Sequence, residues 1–152
     1  MPELPEVETV VRQLEPEVEG RRVERLEVLD ERWSRPLPPR KLEEQVAAAT
    51  IERLGRRGKY ILMGLSGERT LVMHLRMTGN LILREGEEML DPSEGRRLYE
   101  SERSTEERHL RARFVLDDGR ELWFTESDRA AYVVTPEGVE RWPRADPPTG
   151  CM

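Results

Sequence analysis

The chain predicts an α+β domain, a mainly antiparallel β-sandwich flanked by an N-terminal helix and short helices. Three observations predict it. Val7, Val10, Val11 and Leu14 recur at helical spacing behind Pro5, which suits a first helical position. From Ile51 onward the pattern changes to short apolar runs cut by glycine-containing turns. Asp117-Asp118-Gly119, between two such runs, is a strong hairpin signal. A helix followed by a succession of antiparallel strands has to bury its apolar faces in packed layers.

Taken in order, the first helix is expected over residues 5–14, stopping before Pro16, which cannot easily continue it. A strand follows over 21–29, with Val23, Leu26 and Val28 as its apolar residues. Residues 33–39 form a proline-broken loop, and 38–49 a short helix with Leu42, Val46 and Ala49 inside. Strands over 59–65 and 69–76 meet at Ser66-Gly67. In the second, Leu71, Met73 and Leu75 alternate with Thr70, Val72, His74 and Arg76. Gly79-Asn80 leads into Leu81-Ile82-Leu83. Residues 84–108 carry Glu, Arg and Ser with little periodicity, and read as a long exposed loop. Strands 111–116 and 120–125 form the hairpin, a last strand spans 131–134, and a short helix lies near 136–141. The domain is expected over residues 1–142, with 143–152 a linker-like tail rich in proline and glycine.

Composition narrows the class. A domain of 152 residues is large enough for a real core, since chains of this size bury roughly 68–70% of their unfolded surface. Apolar residues make up 36% and charged ones 37%, no apolar run is long enough to span a membrane, and the opening is not a signal peptide. A cytoplasmic setting is expected. Cys151 is the single cysteine, so neither an internal disulfide nor a multi-cysteine zinc site is expected, and no metal or cofactor is called for. The net charge of −6 argues against a uniformly basic nucleic-acid surface, but the 25 Lys and Arg residues can still gather on one side.

The first residues carry the chemistry. Removal of the initiator methionine, favoured by a small second residue, leaves Pro2 with a free secondary amine. An α-amino group titrates near about 7.7–8.0, against about 10.4 for lysine, so far more of it is unprotonated at neutral pH. Such an amine can attack an aldehydic carbon and form an iminium. Glu3 follows it and Glu6 lies three residues on, which places carboxylates beside the nucleophile as proton shuttles. On residue types alone, an amphipathic helix with a proline near its start explains the same residues, and both readings can hold together. Lys59, after Gly58, can meet a phosphate as a point charge or be a surface lysine at a strand start. His74 can be a polar residue on a half-buried strand. Met77, in the turn after that strand, can wedge into a base stack or fill a minor core position.

The opening resembles the N-terminus of the formamidopyrimidine-DNA glycosylase and endonuclease VIII family. Pro2, Glu3 and Glu6 match position by position, followed by Arg57-Gly58-Lys59-Tyr60, by His74-Leu75-Arg76-Met77-Thr78-Gly79, and more loosely by residues 109–129. The resemblance implies a β-sandwich with flanking helices and a base-excision repair DNA glycosylase with abasic-site (AP) lyase activity on damaged double-stranded DNA. It implies Pro2 as nucleophile, Glu3 as acid/base group, Lys59 and His74 against DNA phosphates, and Met77 filling the space of the flipped-out base, with no cofactor. Two departures stand against it. Where the family has Asp-Pro-Arg-Arg-Phe-Gly, this chain has Glu126-Ser127-Asp128-Arg129-Ala130-Ala131, which keeps only Arg129 of the DNA-facing set. The family's helix-two-turn-helix and zinc-finger domains are not in this sequence. A truncated form, a naturally short relative and a split enzyme completed by a partner chain all fit that. A non-enzymatic relative that binds protein or DNA is the alternative reading.

Overall fold

Helix α1, Leu4–Val18, carries Val7, Val10, Val11, Leu14 and Val18 along one buried stripe. The computed structural model describes residues 4–75, 79–126 and 133–134. The helix does not stop at Pro16, contrary to the sequence expectation, but takes that proline into its last turn. Pro16 forfeits one amide donor there, while continuation buries Val18 completely and lets the Glu19 amide reach the Glu15 carbonyl at 2.9 Å. Burial of a valine is worth about 1.5–3 kcal/mol, enough to offset much of the proline penalty. Strand β1, Val23–Val28, then leads through a turn-rich stretch holding Trp33 to α2, Pro39–Val46, shorter at both ends than expected.

Two antiparallel sheets face each other. The first comprises β2 (Ile51–Arg57), β3 (Tyr60–Leu65), β4 (Arg69–His74) and β10 (Val133–Val134), in the order β10-β4-β3-β2. The second adds to β1 the strands β5 (Asn80–Glu85), β6 (Glu88–Asp91), β7 (Arg96–Arg97), β8 (Leu110–Leu116) and β9 (Glu121–Thr125), in the order β1-β8-β9-β5-β6-β7. Period-two alternation sends Ile61, Met63, Leu71 and Met73 from one sheet and Leu81, Leu83, Phe114, Leu122 and Phe124 from the other into one core. Trp33 closes it edge-on to Phe114 and Phe124, with centroids at 6.4 and 5.3 Å. The expected α+β sandwich is the observed one, and the 117–119 hairpin lies where the sequence put it.

Residues 84–108 depart furthest from expectation. They form β6, β7 and helix α3, Glu100–Arg108, not a loop. Met89 and Leu98 join Ile82 and Trp123 in a second, smaller core on the outer side of the six-stranded sheet, with Leu110 packed against it. The helix buries no side chain. Polar contacts hold it: Glu102 accepts hydrogen bonds from the Tyr99 amide at 2.8 Å and from Arg96 at 3.0 and 2.7 Å. The expected helix near 136–141 and the tail 143–152 lie outside the described residues.

Candidate active site

Five chain segments meet at one end of the sandwich. Arg57 and Tyr60 are register partners across a two-residue loop, Gly58-Lys59. Gly58 holds φ +60° at the first central position, where the primed hairpin turns require a left-handed residue. Tyr60 is in turn the partner of His74 on β4, and their rings meet edge to face at 4.8 Å. Lys59 is half-buried at the tip, and His74 is buried, 7% exposed, so it is not a polar residue on the open face of a half-buried strand. The reason lies in β4 itself, whose residues 71–74 are buried on both faces.

Just past β4 the backbone is held close on itself. The Gly79 amide donates to the Leu75 carbonyl at 2.7 Å, and a Cβ at Gly79 would stand 2.2 Å from that oxygen, so only glycine allows that approach. Asn80 fixes the far stem. Its side-chain amide donates to Asp91 at 2.8 Å, and its side-chain oxygen accepts from the Leu81 amide at 2.9 Å. Asn80 pairs with Thr125 on β9, Leu110 pairs with the same threonine from β8, and the Glu126 amide reaches the His109 carbonyl at 2.9 Å. Val133 of β10 pairs with Met73, which ties the chain after Glu126 to the same end.

Helix α1 is packed on the core by its buried stripe and tied to this end by charge. Glu8 accepts from Arg56 at 3.3 Å and pairs with Arg12 at 3.5 Å, while Arg56 also donates to the Gly58 carbonyl at 3.0 Å. The first turn of α1 therefore stands beside the loop that carries Lys59, and the exposed Glu6 belongs to that turn. Of the residues singled out from sequence, Glu6, Lys59 and His74 are brought together at this end. Pro2, Glu3, Met77 and Arg129 lie outside the described residues. Two residues were missed. Glu126 is fully buried, and its parity with Leu122 and Phe124 along β9 was the signal available. Glu8 carries the tie to Arg56, which spacing on one helix cannot reveal. Among the described residues no cluster of three His, Cys, Asp or Glu side chains could hold a metal, and no helix is long and apolar enough to cross a membrane.

Residues 1–133 match the family model of the formamidopyrimidine-DNA glycosylase N-terminal domain. The chain belongs to this family. Among similar relatives, the formamidopyrimidine-DNA glycosylase of Chloroflexus aurantiacus is 41% identical over 128 residues, covering 83% of this chain and 40% of the relative. That of Rhizobium etli is 44% identical over 119 residues, covering 78% and 38%. The chain thus spans about two fifths of the length of the glycosylases it matches. Among solved structures, the Lactococcus lactis Fpg in complex with DNA containing an abasic site superposes with a TM-score of 0.72 at 23% identity, covering 93% of this chain and 47% of that one. At that identity the likeness concerns the fold.

Proposed function

We propose that this chain is the catalytic domain of a DNA glycosylase that removes oxidised bases from double-stranded DNA and cleaves the resulting abasic site through an N-terminal proline Schiff base. The observation that carries the proposal is the family match over residues 1–133, which takes in Pro2, Glu3 and Glu6. It is supported by the gathering of the first turn of α1, Lys59 and His74 at one end of the sandwich. The Pro2 nitrogen forms a bond to the anomeric carbon of the deoxyribose as the bond to the base breaks, its electron pair leaving with the base. Glu3 gives a proton to the ring oxygen as the sugar opens, leaving an iminium on Pro2. Loss of a proton from the adjacent carbon then expels the 3′ phosphate, and a second elimination expels the 5′ phosphate. Water hydrolyses the iminium and restores the amine. Lys59 and His74 hold phosphates flanking the damaged nucleotide, Met77 fills the vacated stack, and Arg129 is the one DNA-binding residue kept from the family's recognition run, the position that pairs with the orphaned base being Asp128. The catalytic domain is taken as 1–142, in the cytoplasm on chromosomal DNA.

Borohydride trapping on an oligonucleotide with one abasic site tests this. The native chain should become covalently attached and Pro2→Gly should not. Equal trapping by Pro2→Gly would assign the nucleophile to a lysine and sink the mechanism. A second reading, a DNA- or protein-binding relative without catalysis, draws on Asp128 and Ala130 standing where the family carries arginine and phenylalanine. It is the reading left if the native chain binds abasic duplex but never traps.

A further inference from the structure

The four-stranded sheet has an outer face of which the proposed reaction uses only the end at His74. Leu54, Ile61, Met63, Leu71 and Met73 point into the core, so the opposite parity of β2 and β3 faces away from it. On β2 that parity is Arg53, Gly55 and Arg57, and across the register it meets Gly64, Leu62 and Tyr60. Arg53 and Arg57 are both exposed, and among the described residues neither has a carboxylate within ion-pair distance. Their neighbour Arg56, on the other parity, is the one that turns to Glu8.

Between the two arginines stands a glycine with no structural reason to be one. A Cβ on Gly55 would meet nothing within 4 Å, and its φ is not left-handed. Glycine inside a strand weakens the strand, and it marks places where another backbone approaches closely. Gly64, one strand over, is a glycine for another reason, a side chain that lies against it. The stem of Arg53 lies across it, with Cγ 2.9 Å from where a Cβ would be, so the guanidinium is laid along the sheet. The result is a low-relief strip with a cation at each end. The two arginine Cα atoms are about 13 Å apart at roughly 3.3 Å per residue, the axial length of about four base-pair steps of duplex at about 3.4 Å each. At its upper end the strip runs into the row Arg57-Tyr60-His74 and the Lys59 loop.

We propose that Arg53, Gly55 and Arg57 form a phosphate-backbone track that continues the DNA-binding site down the outer face of the four-stranded sheet, on one side of the lesion. The inference rests on the DNA-repair reading above and extends it to residues outside the reaction. The ligand is the sugar-phosphate backbone, read by charge and without base specificity.

The test measures binding of a fluorescent duplex, carrying one tetrahydrofuran abasic-site analogue, as a function of salt. The full chain is compared with Arg53→Ala/Arg57→Ala and with Arg40→Ala/Lys41→Ala, two exposed cations on α2. Each lost phosphate contact should reduce the slope of log K against log salt by about 0.9, so the strip variant should be shallower by about 1.8. The α2 variant should keep the native slope. Trimming one flank of the duplex, but not the other, should erase the difference between native chain and strip variant. An unchanged slope for the strip variant, or an equal loss in the α2 variant, overturns the track while leaving the glycosylase reading standing. No salt-dependent binding by the native chain overturns both. Unaltered thermal melting of the strip variant separates lost binding from lost folding.

Discussion

Every arginine in the strands of the six-stranded sheet faces a carboxylate, whereas three of the four in the four-stranded sheet face none among the described residues. On the first, Glu27 takes both Arg25 and Arg113, Glu121 takes Arg84 and Arg113, Asp30 takes Arg111, Arg96 bridges Glu94 and Glu102, and Arg97 reaches Glu88. On the second, only Arg56 is paired, to Glu8, while Arg53, Arg57 and Arg69 are not. The net charge of −6 therefore says little about either surface. Acid and base cancel locally on one sheet, which leaves the other with cations able to attract an anion. The two sheets should respond differently to perturbation.

The largest stability effect is expected where the four-stranded sheet hands over to the six-stranded one. Gly79→Ala puts a methyl group against the Leu75 carbonyl, a backbone atom that cannot rotate away. Chemical denaturation should show a loss of about 1–3 kcal/mol, and trapping on abasic DNA should slow because that contact opens. A variant as stable as the native chain would mean that the Gly79–Leu75 contact is not made in solution.

Next in size is the ion-pair mesh of the six-stranded sheet. Glu27 is held below the usual carboxylate range chiefly by hydrogen bonds from Arg113, with Arg25 adding to the effect against a cost of burial. The pair is more than two-thirds shielded on each side chain, so Glu27→Gln should cost about 1 kcal/mol, less at high salt. A salt-independent loss would assign the effect to packing.

Acid offers a finer probe. Glu102 is depressed to about 2 by hydrogen bonds from Arg96 and then from the Tyr99 amide. Because the folded value lies below the ordinary 4.5, this stabilisation is complete above 4.5 and drains away as pH falls toward about 2. Thermal melts of Glu102→Gln should lie below those of the native chain at neutral pH and converge with them in acid. Parallel curves throughout would remove Glu102 from the titration. The smallest effect belongs to the exposed strip. Arg53→Ala/Arg57→Ala should change stability by no more than about 0.5 kcal/mol while altering DNA binding.

The sequence by itself determined the layer architecture, because helical spacing in α1 and period-two alternation after Ile51 each allow one way of burying their apolar faces. It also determined the 117–119 hairpin through its turn residues, and the family through the opening motif and the Lys59 and His74 runs. Tertiary structure decided what local pattern does not encode. Pro16 stayed helical because Val18 had a core to enter, and His74 was buried because β4 is covered on both faces. Residues 84–108 became strands and a helix although they carry little apolar periodicity, since Met89 and Leu98 pack on Ile82 and Trp123 and Arg96 captures Glu102. The arrangement of charge was decided the same way. A one-dimensional count of arginines and glutamates cannot assign partners, because the pairs Glu27–Arg113 and Glu8–Arg56 are made between segments far apart in the chain that only the packed sandwich brings within reach.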